Sequence, residues 1–178
     1  YRVKAGLTTK DENLDNIDHV EMSGPFKCTR NDAWLGYGYY LWDTDFDWAM
    51  DWGQFAYVKY GKDFIIMSCR VDLTNNCFDL FGRVKDRITL KETVDIMIED
   101  GVIQNYDEAL LPEIIEFMKQ QGVFEYNSIR AYDNYRNNTK IRFLKNRIEF
   151  MNMNQRVQIC VISKKDVILQ PVRVVYPE

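Results

Sequence analysis

Histidine occurs once, at His19, and proline and cysteine four times each in 178 residues. A single histidine in a polar, acidic stretch has no nucleophile beside it and reads as a surface residue. Cys28, Cys69, Cys77 and Cys160 form no C-x-x-C pair and, with so little histidine, offer no zinc-like ligand spacing, so no metal is expected. They are too sparse for a disulfide scaffold, and buried free thiols in a reducing, cytoplasmic setting are expected instead. No run of 18 apolar residues and no basic-then-apolar leader pattern occurs, so neither a membrane span nor a membrane partner is expected. Glycine patterns are equally restricted. No G-x-G-x-x-G follows a strand into a helix, and neither a P-loop nor a G-x-S-x-G elbow is present. Excess positive charge is missing too. The net charge of −4 argues against a broad phosphate-binding surface.

Aromatic residues are what the chain has in quantity: 11 Tyr, 10 Phe and 4 Trp, enough for a core and for a pocket lining. Hydrophobic residues at 46% and charged residues at 28% are ordinary for a globular protein, and without linkers or repeats residues 1–178 read as one domain. Phe64–Leu73 predicts a strand buried on both faces. Thr44 is the expected N-cap of a helix that carries Phe46, Ala49 and Met50 and stops at Gly53. Thr89-x-x-Glu92 predicts a capping box and a helix ending near Gly101. A further helix is expected from about Tyr106 to Gln121, with Gly122 as its stop. Later strands are expected near Ser128–Tyr132, Ile141–Leu144, Val157–Ile162 and Val172–Tyr176. Strands outnumber helices and do not alternate with them, so the fold class expected is α+β.

One block concentrates unusual chemistry. Asn31 to Gly53 holds Gly36 and Gly38, which permit close backbone approach, then Tyr39-Tyr40-Leu41-Trp42, then a helix placing Ala49 against that strand. A stacking site for a flat heterocycle and an aromatic strand packed in a core both fit it. The cationic run Arg130, Arg136, Lys140, Arg142, Lys145 and Arg147 reads first as a solvated face. With Tyr132, Tyr135 and Phe143 interleaved, it also suits a nucleic-acid strand.

Trp34-Leu35-Gly36-x-Gly38-Tyr39-Tyr40-Leu41-Trp42, followed by Ala49, Trp52 and Gly53, resembles the central motif of the ADP-ribosyltransferase superfamily. The likeness is to the tyrosine-bearing class of poly-ADP-ribose polymerases and diphtheria-type toxins, and within it to a bacterial group. Cys77-Phe78-Asp79-Leu80 and Gln158-Ile159-Cys160-Val161 with Val167-Ile168 extend it to about residues 25–170. The resemblance implies a split β-sheet core with inserted helices. It implies NAD⁺ as substrate and a macromolecular acceptor, either protein or nucleic acid. It also implies a toxin or defence role, with an antitoxin or immunity protein as a possible partner.

Site residues follow from the same likeness. Tyr40 would stack on nicotinamide, with Gly38, Tyr39 and Ala49 shaping the cofactor site. Arg2, with Gly6 and Thr8 or Thr9, would stand at the first motif, where the family has His-Gly or Arg-Gly, and hold the nicotinamide amide, ribose or pyrophosphate. Gln158 would occupy the position commonly held by glutamate, with Gln155 as rival and Glu149 a substitute only if the strand lies elsewhere. Glutamine can hydrogen-bond a ribose hydroxyl but carries no charge, which points to mono-transfer rather than chain elongation. NAD⁺ hydrolysis, a nucleotide- or partner-binding module without turnover, and an unrelated α+β domain are the alternatives.

Overall fold

The computed structural model describes residues 2–5, 19, 21–74, 76–134, 139–145, 148–153, 155–165 and 167–177, with the backbone alone for residues 2–5, 134 and 170. Nine strands, three longer helices and two 3-10 turns lie among the described residues, and residues 19 and 21–23 are also helical. The strands and longer helices are β1 (Arg2–Ala5), β2 (Tyr39–Trp42), α1 (Phe46–Ala56), β3 (Phe64–Val71), β4 (Cys77–Asp79), α2 (Val84–Glu99), α3 (Leu111–Gln120), β5 (Ser128–Asn134), β6 (Lys140–Arg142), β7 (Phe150–Asn152), β8 (Gln155–Val161) and β9 (Ile168–Tyr176). This is a mixed helix-and-sheet protein, compatible with the α+β expectation.

The strands form two larger sheets and a small hairpin. The first sheet runs β1-β3-β9 and is antiparallel throughout. β3 sits in its middle, with Phe64, Ile65, Ile66 and Met67 all buried, which explains its unbroken apolar run. β9 is an edge strand and accommodates Pro171, which cannot donate to a ladder. The second sheet runs β2-β8-β5-β4, antiparallel except for the β4–β5 pair. β6 and β7 pair only with each other, as an excursion between β5 and β8.

Strand alternation assigns the second sheet's two faces. Leu41, Ile159 and Val161 face the first sheet and pack with Met67, Ile168 and Val172. Tyr40, Cys160, Ile129 and Phe78 face the other way, against Val94 and Met97 of α2 and Ile114, Ile115 and Met118 of α3. α1 closes one end, where Ala49 packs fully buried against Trp42, Phe64 and Ile66.

Several boundaries differ from expectation for local reasons. Asp45, not Thr44, caps α1: its carboxylate accepts from the Trp48 N–H at 3.0 Å, and Thr44 takes φ +55° in the turn before it. α1 runs through Gly53 to Ala56, because that glycine is required by the Phe64 ring rather than by a helix stop. α2 begins five residues before Thr89. Its first turn is anchored by Asp86, which accepts from the Asp79 N–H at 2.7 Å, so Thr89 lies mid-helix and its carbonyl accepts from the Thr93 hydroxyl. Residues 106–108 form only a 3-10 turn, and α3 starts at Leu111 with Pro112 in its first turn. Gly101 and Gly122 do follow their helices, with φ of +70°.

Candidate functional site

β2 reaches the site through a loop that folds back on it. Cys28 and Gly38 exchange backbone hydrogen bonds at 2.7 and 3.1 Å. Between them the chain makes two tight turns, helped by φ +81° at Gly36. The Tyr40 hydroxyl ties this loop down: it accepts from the Leu35 N–H at 2.8 Å and donates to the Gly36 carbonyl at 2.9 Å. Its ring is left as a wall of a hollow enclosing about 200 Å³.

Gln158 comes to the same hollow from β8, directly opposite Trp42 in the β2–β8 register. Its Oε1 accepts from the Trp34 indole Nε1–H at 2.7 Å. Indole is a donor only, so the amide oxygen is committed to Trp34 and the amide NH₂ is the part left to meet a ligand. Trp34, Trp42 and Trp52 supply aromatic surface. Two arginine–carboxylate pairs complete the lining. Arg156 on β8 grips Asp133 on β5 with two side-chain hydrogen bonds, one of them 2.9 Å, and its guanidinium lies 5.7 Å from the Trp48 ring centre. Arg30 and Asp32 pair on the loop at 2.8 Å.

A second hollow of about 150 Å³ adjoins the first and shares Trp42, Trp52 and Arg156 with it. Trp42 and Trp52 stand tilted, 6.4 Å apart, in the partition. A larger hollow, about 430 Å³, opens elsewhere and is lined by Ser68, Cys69 and Arg70 of β3 with Asp43 and Thr44. It shares Leu41 and Trp42 with the first hollow and is also lined by Ile159, while Trp34, Tyr40 and Gln158 do not reach it.

The hydrogen bond between Arg30 and Asp32 pushes the arginine pKa up and the aspartate pKa down. Burial holds the Tyr40 hydroxyl far above its ordinary value, so it stays protonated. On the sheet's other face Arg130 joins Asp43 at 2.7 Å and Asp79 at 3.3 Å. Burial opposes the Arg130 charge, and the two carboxylates outweigh that opposition. Part of the supposed solvated face is thus an internal ion-pair cluster.

The sequence-expected residues divide sharply. Tyr40 and Gln158, far apart in sequence, line one hollow. Ala49 lies beneath it, against Trp42. Gly38 faces no ligand space: a Cβ there would meet the Cys160 sulfur at 2.5 Å and the Val161 carbonyl at 2.7 Å. The Tyr39 ring lies on the opposite face, with Lys164 Nζ 4.9 Å from its centre. Gln155 pairs with Asn134 at the far end of β8, and Glu149 is exposed beside β7; neither lines the hollow. Arg2 is on β1, opposite Met67, with only its backbone described. Gly6, Thr8 and Thr9 lie outside the described residues. Asp133, Arg156, Arg30 and Asp32 were not singled out as site residues by sequence. Among the described residues no His/Cys/Asp/Glu group is arranged to hold a metal, and no helix is long and apolar enough to cross a membrane. No family model matches the chain, and no curated protein or solved structure matches it.

Proposed function

We propose that the hollow between Tyr40 and Gln158 takes NAD⁺, and that the protein transfers its ADP-ribose to a macromolecular acceptor. The observation that carries this is the convergence of Tyr40 and Gln158. They belong to separate parts of the ADP-ribosyltransferase-like motif, and they sit on paired strands facing one cavity. The division of the strands into two sheets packed on each other agrees with a split-sheet core. Paired hollows with an aromatic partition suit a ligand with a flat ring at each end and a charged middle.

In this reading nicotinamide lies on the Tyr40 ring. The tyrosine hydroxyl is occupied by the loop and takes no part in proton transfer. The bond between nicotinamide nitrogen and the anomeric carbon breaks with its electron pair going to nicotinamide, which leaves neutral. Positive charge develops on the ribose. The Gln158 NH₂ donates to a ribose oxygen and fixes the sugar's orientation, and Arg156 stands where a pyrophosphate oxygen can meet it. A nucleophile of the acceptor attacks the anomeric carbon and loses its proton. Alignment of the two reactants supplies much of the acceleration. Arg2 retains its proposed place at the amide or ribose, approached from β1.

Incubation with NAD⁺ labelled on adenosine, with and without RNA or protein acceptors, tests the reading. Nicotinamide release with label moving to a macromolecule is expected, and it should fail in Tyr40→Ala. Free ADP-ribose alone would mean hydrolysis. The neutral Gln158 side chain favours one further reading, a module that binds NAD⁺ without turning it over; a thermal shift by NAD⁺ without nicotinamide release identifies that. Absence of both the thermal shift and nicotinamide release would refute the site. A toxin or defence role rests on the family likeness and belongs to this proposal.

A further inference from the structure

The β6–β7 excursion is built unlike the rest of the molecule. Residues 130–156 hold seven lysines and arginines against two acidic residues, in a chain of net charge −4. Arg130 and Arg156 are consumed internally by Asp43, Asp79 and Asp133. Lys140, Arg142 and Lys145 are exposed and have no ion pair with any described residue. Register sorts the hairpin into two faces: Arg142 stands opposite Phe150, Lys140 is the next residue along on the same face, and Ile141 and Met151 point the other way. Lys140 Nζ lies 4.4 Å from the centre of the Phe150 ring, which is 42% exposed. One face therefore alternates cations with an open aromatic ring. The opposite face carries Ile141 and Met151, both exposed. A two-stranded hairpin is marginal in water by itself, so such a surface is suited to gain order from a partner.

We propose that the Lys140–Arg142–Phe150 face binds single-stranded nucleic acid, with the phosphates on the cations and a base on the phenylalanine. The hairpin is inserted directly between β5 and β8, the strands whose Asp133, Arg156 and Gln158 line the hollow. The face is thus close in sequence to residues that line the hollow, Arg156 lying six residues after Phe150. The inference deepens the transferase reading by naming its acceptor, and it is measured without NAD⁺ so that the two fail separately.

Fluorescence anisotropy with labelled single-stranded RNA and DNA oligonucleotides of about 16 nucleotides, against their duplexes, is the direct test. Binding of a single strand is expected. With two phosphate contacts, affinity should fall about sevenfold between 50 and 200 mM salt. Lys140→Glu with Arg142→Glu should abolish binding, and Phe150→Ala should weaken it about tenfold at constant salt slope. An unchanged melting curve for both variants shows that the body is intact; if either melts early, Lys140→Gln with Arg142→Gln replaces it. Comparison of RNA with DNA tells which strand is read. No binding at 50 mM salt, equal binding by the charge-reversed protein, preference for duplex, or stronger binding to vesicles of phosphatidylserine and phosphatidylcholine would each overturn the proposal.

Discussion

Changing Gln158 to glutamate isolates the one chemical property that the resemblance finds missing from the site. The two side chains have nearly the same shape. One carboxylate oxygen can keep the 2.7 Å bond from Trp34 Nε1, so the ring and the strand should stay in place. The other oxygen then faces the hollow where an NH₂ stood, turning a donor into a charged acceptor. A full charge pair about 4 Å apart is worth about 4 kcal/mol at an effective dielectric of 20. With about half a charge on the ribose in the transition state, the gain is about 2 kcal/mol, or roughly 30-fold in rate. Single-turnover nicotinamide release at saturating NAD⁺ measures this directly. Two controls belong beside it: the melting temperature, and the Trp34 indole N–H resonance, which reports that the bond survives. If the glutamate protein keeps both but releases nicotinamide no faster, missing charge is not what limits this site, and the role given to Gln158 is wrong.

Tyr40→Phe keeps the ring but leaves the Leu35 N–H, 2% exposed at its residue, without its acceptor; a loss of about 1–3 kcal/mol in stability is expected by chemical denaturation, with NAD⁺ binding retained. The native Tyr40 pKa is raised, so the folded state holds its proton longer than the unfolded chain does. The stability this contributes is complete below pH 10 and is lost as pH rises above it; Tyr40→Phe should show a flatter alkaline arm. Gly53→Ala places a methyl 2.2 Å from the Phe64 ring. Overpacking of this kind costs about 1–3 kcal/mol, and Phe64 is only 4% exposed, so after the helix gain of about 1 kcal/mol a net loss of about 1 kcal/mol should appear in urea titrations. Asp45→Ala removes the α1 cap and should cost about 1 kcal/mol, whereas Thr44→Ala should cost less; equal losses would contradict the cap assignment.

What was legible in the sequence was local. The β3 run, the glycine stops after α2 and α3, and the aromatic strand β2 each declare themselves within a dozen residues. The errors came where distant residues compete with local signals. Thr89-x-x-Glu92 looks like a helix start until Asp79 supplies its N–H to Asp86 and moves the start upstream. Gly53 looks like a stop until Phe64 occupies the space beside it. Pro112 was a local signal passed over: it marks a first turn, and α3 obeys it. That Tyr40 and Gln158 line one hollow could not be read from sequence spacing, since no local pattern connects them. The Arg156–Asp133 pair depends on β5–β8 register, which is set by the length of the intervening hairpin and by burial across the sheet. Gly38 shows that a glycine allowing close approach need not approach a ligand; here it admits the neighbouring strand.

The shared partition of Trp42, Trp52 and Arg156 has a consequence for ligand discovery. The two adjoining hollows, of about 200 and 150 Å³, can each take a fragment. A fragment in one leans on the same indoles that wall the other, so paired occupancy should be tested together instead of ranked separately. Joining two such fragments makes the second binding event intramolecular, with the tether passing the Trp42–Trp52 pair that both hollows share.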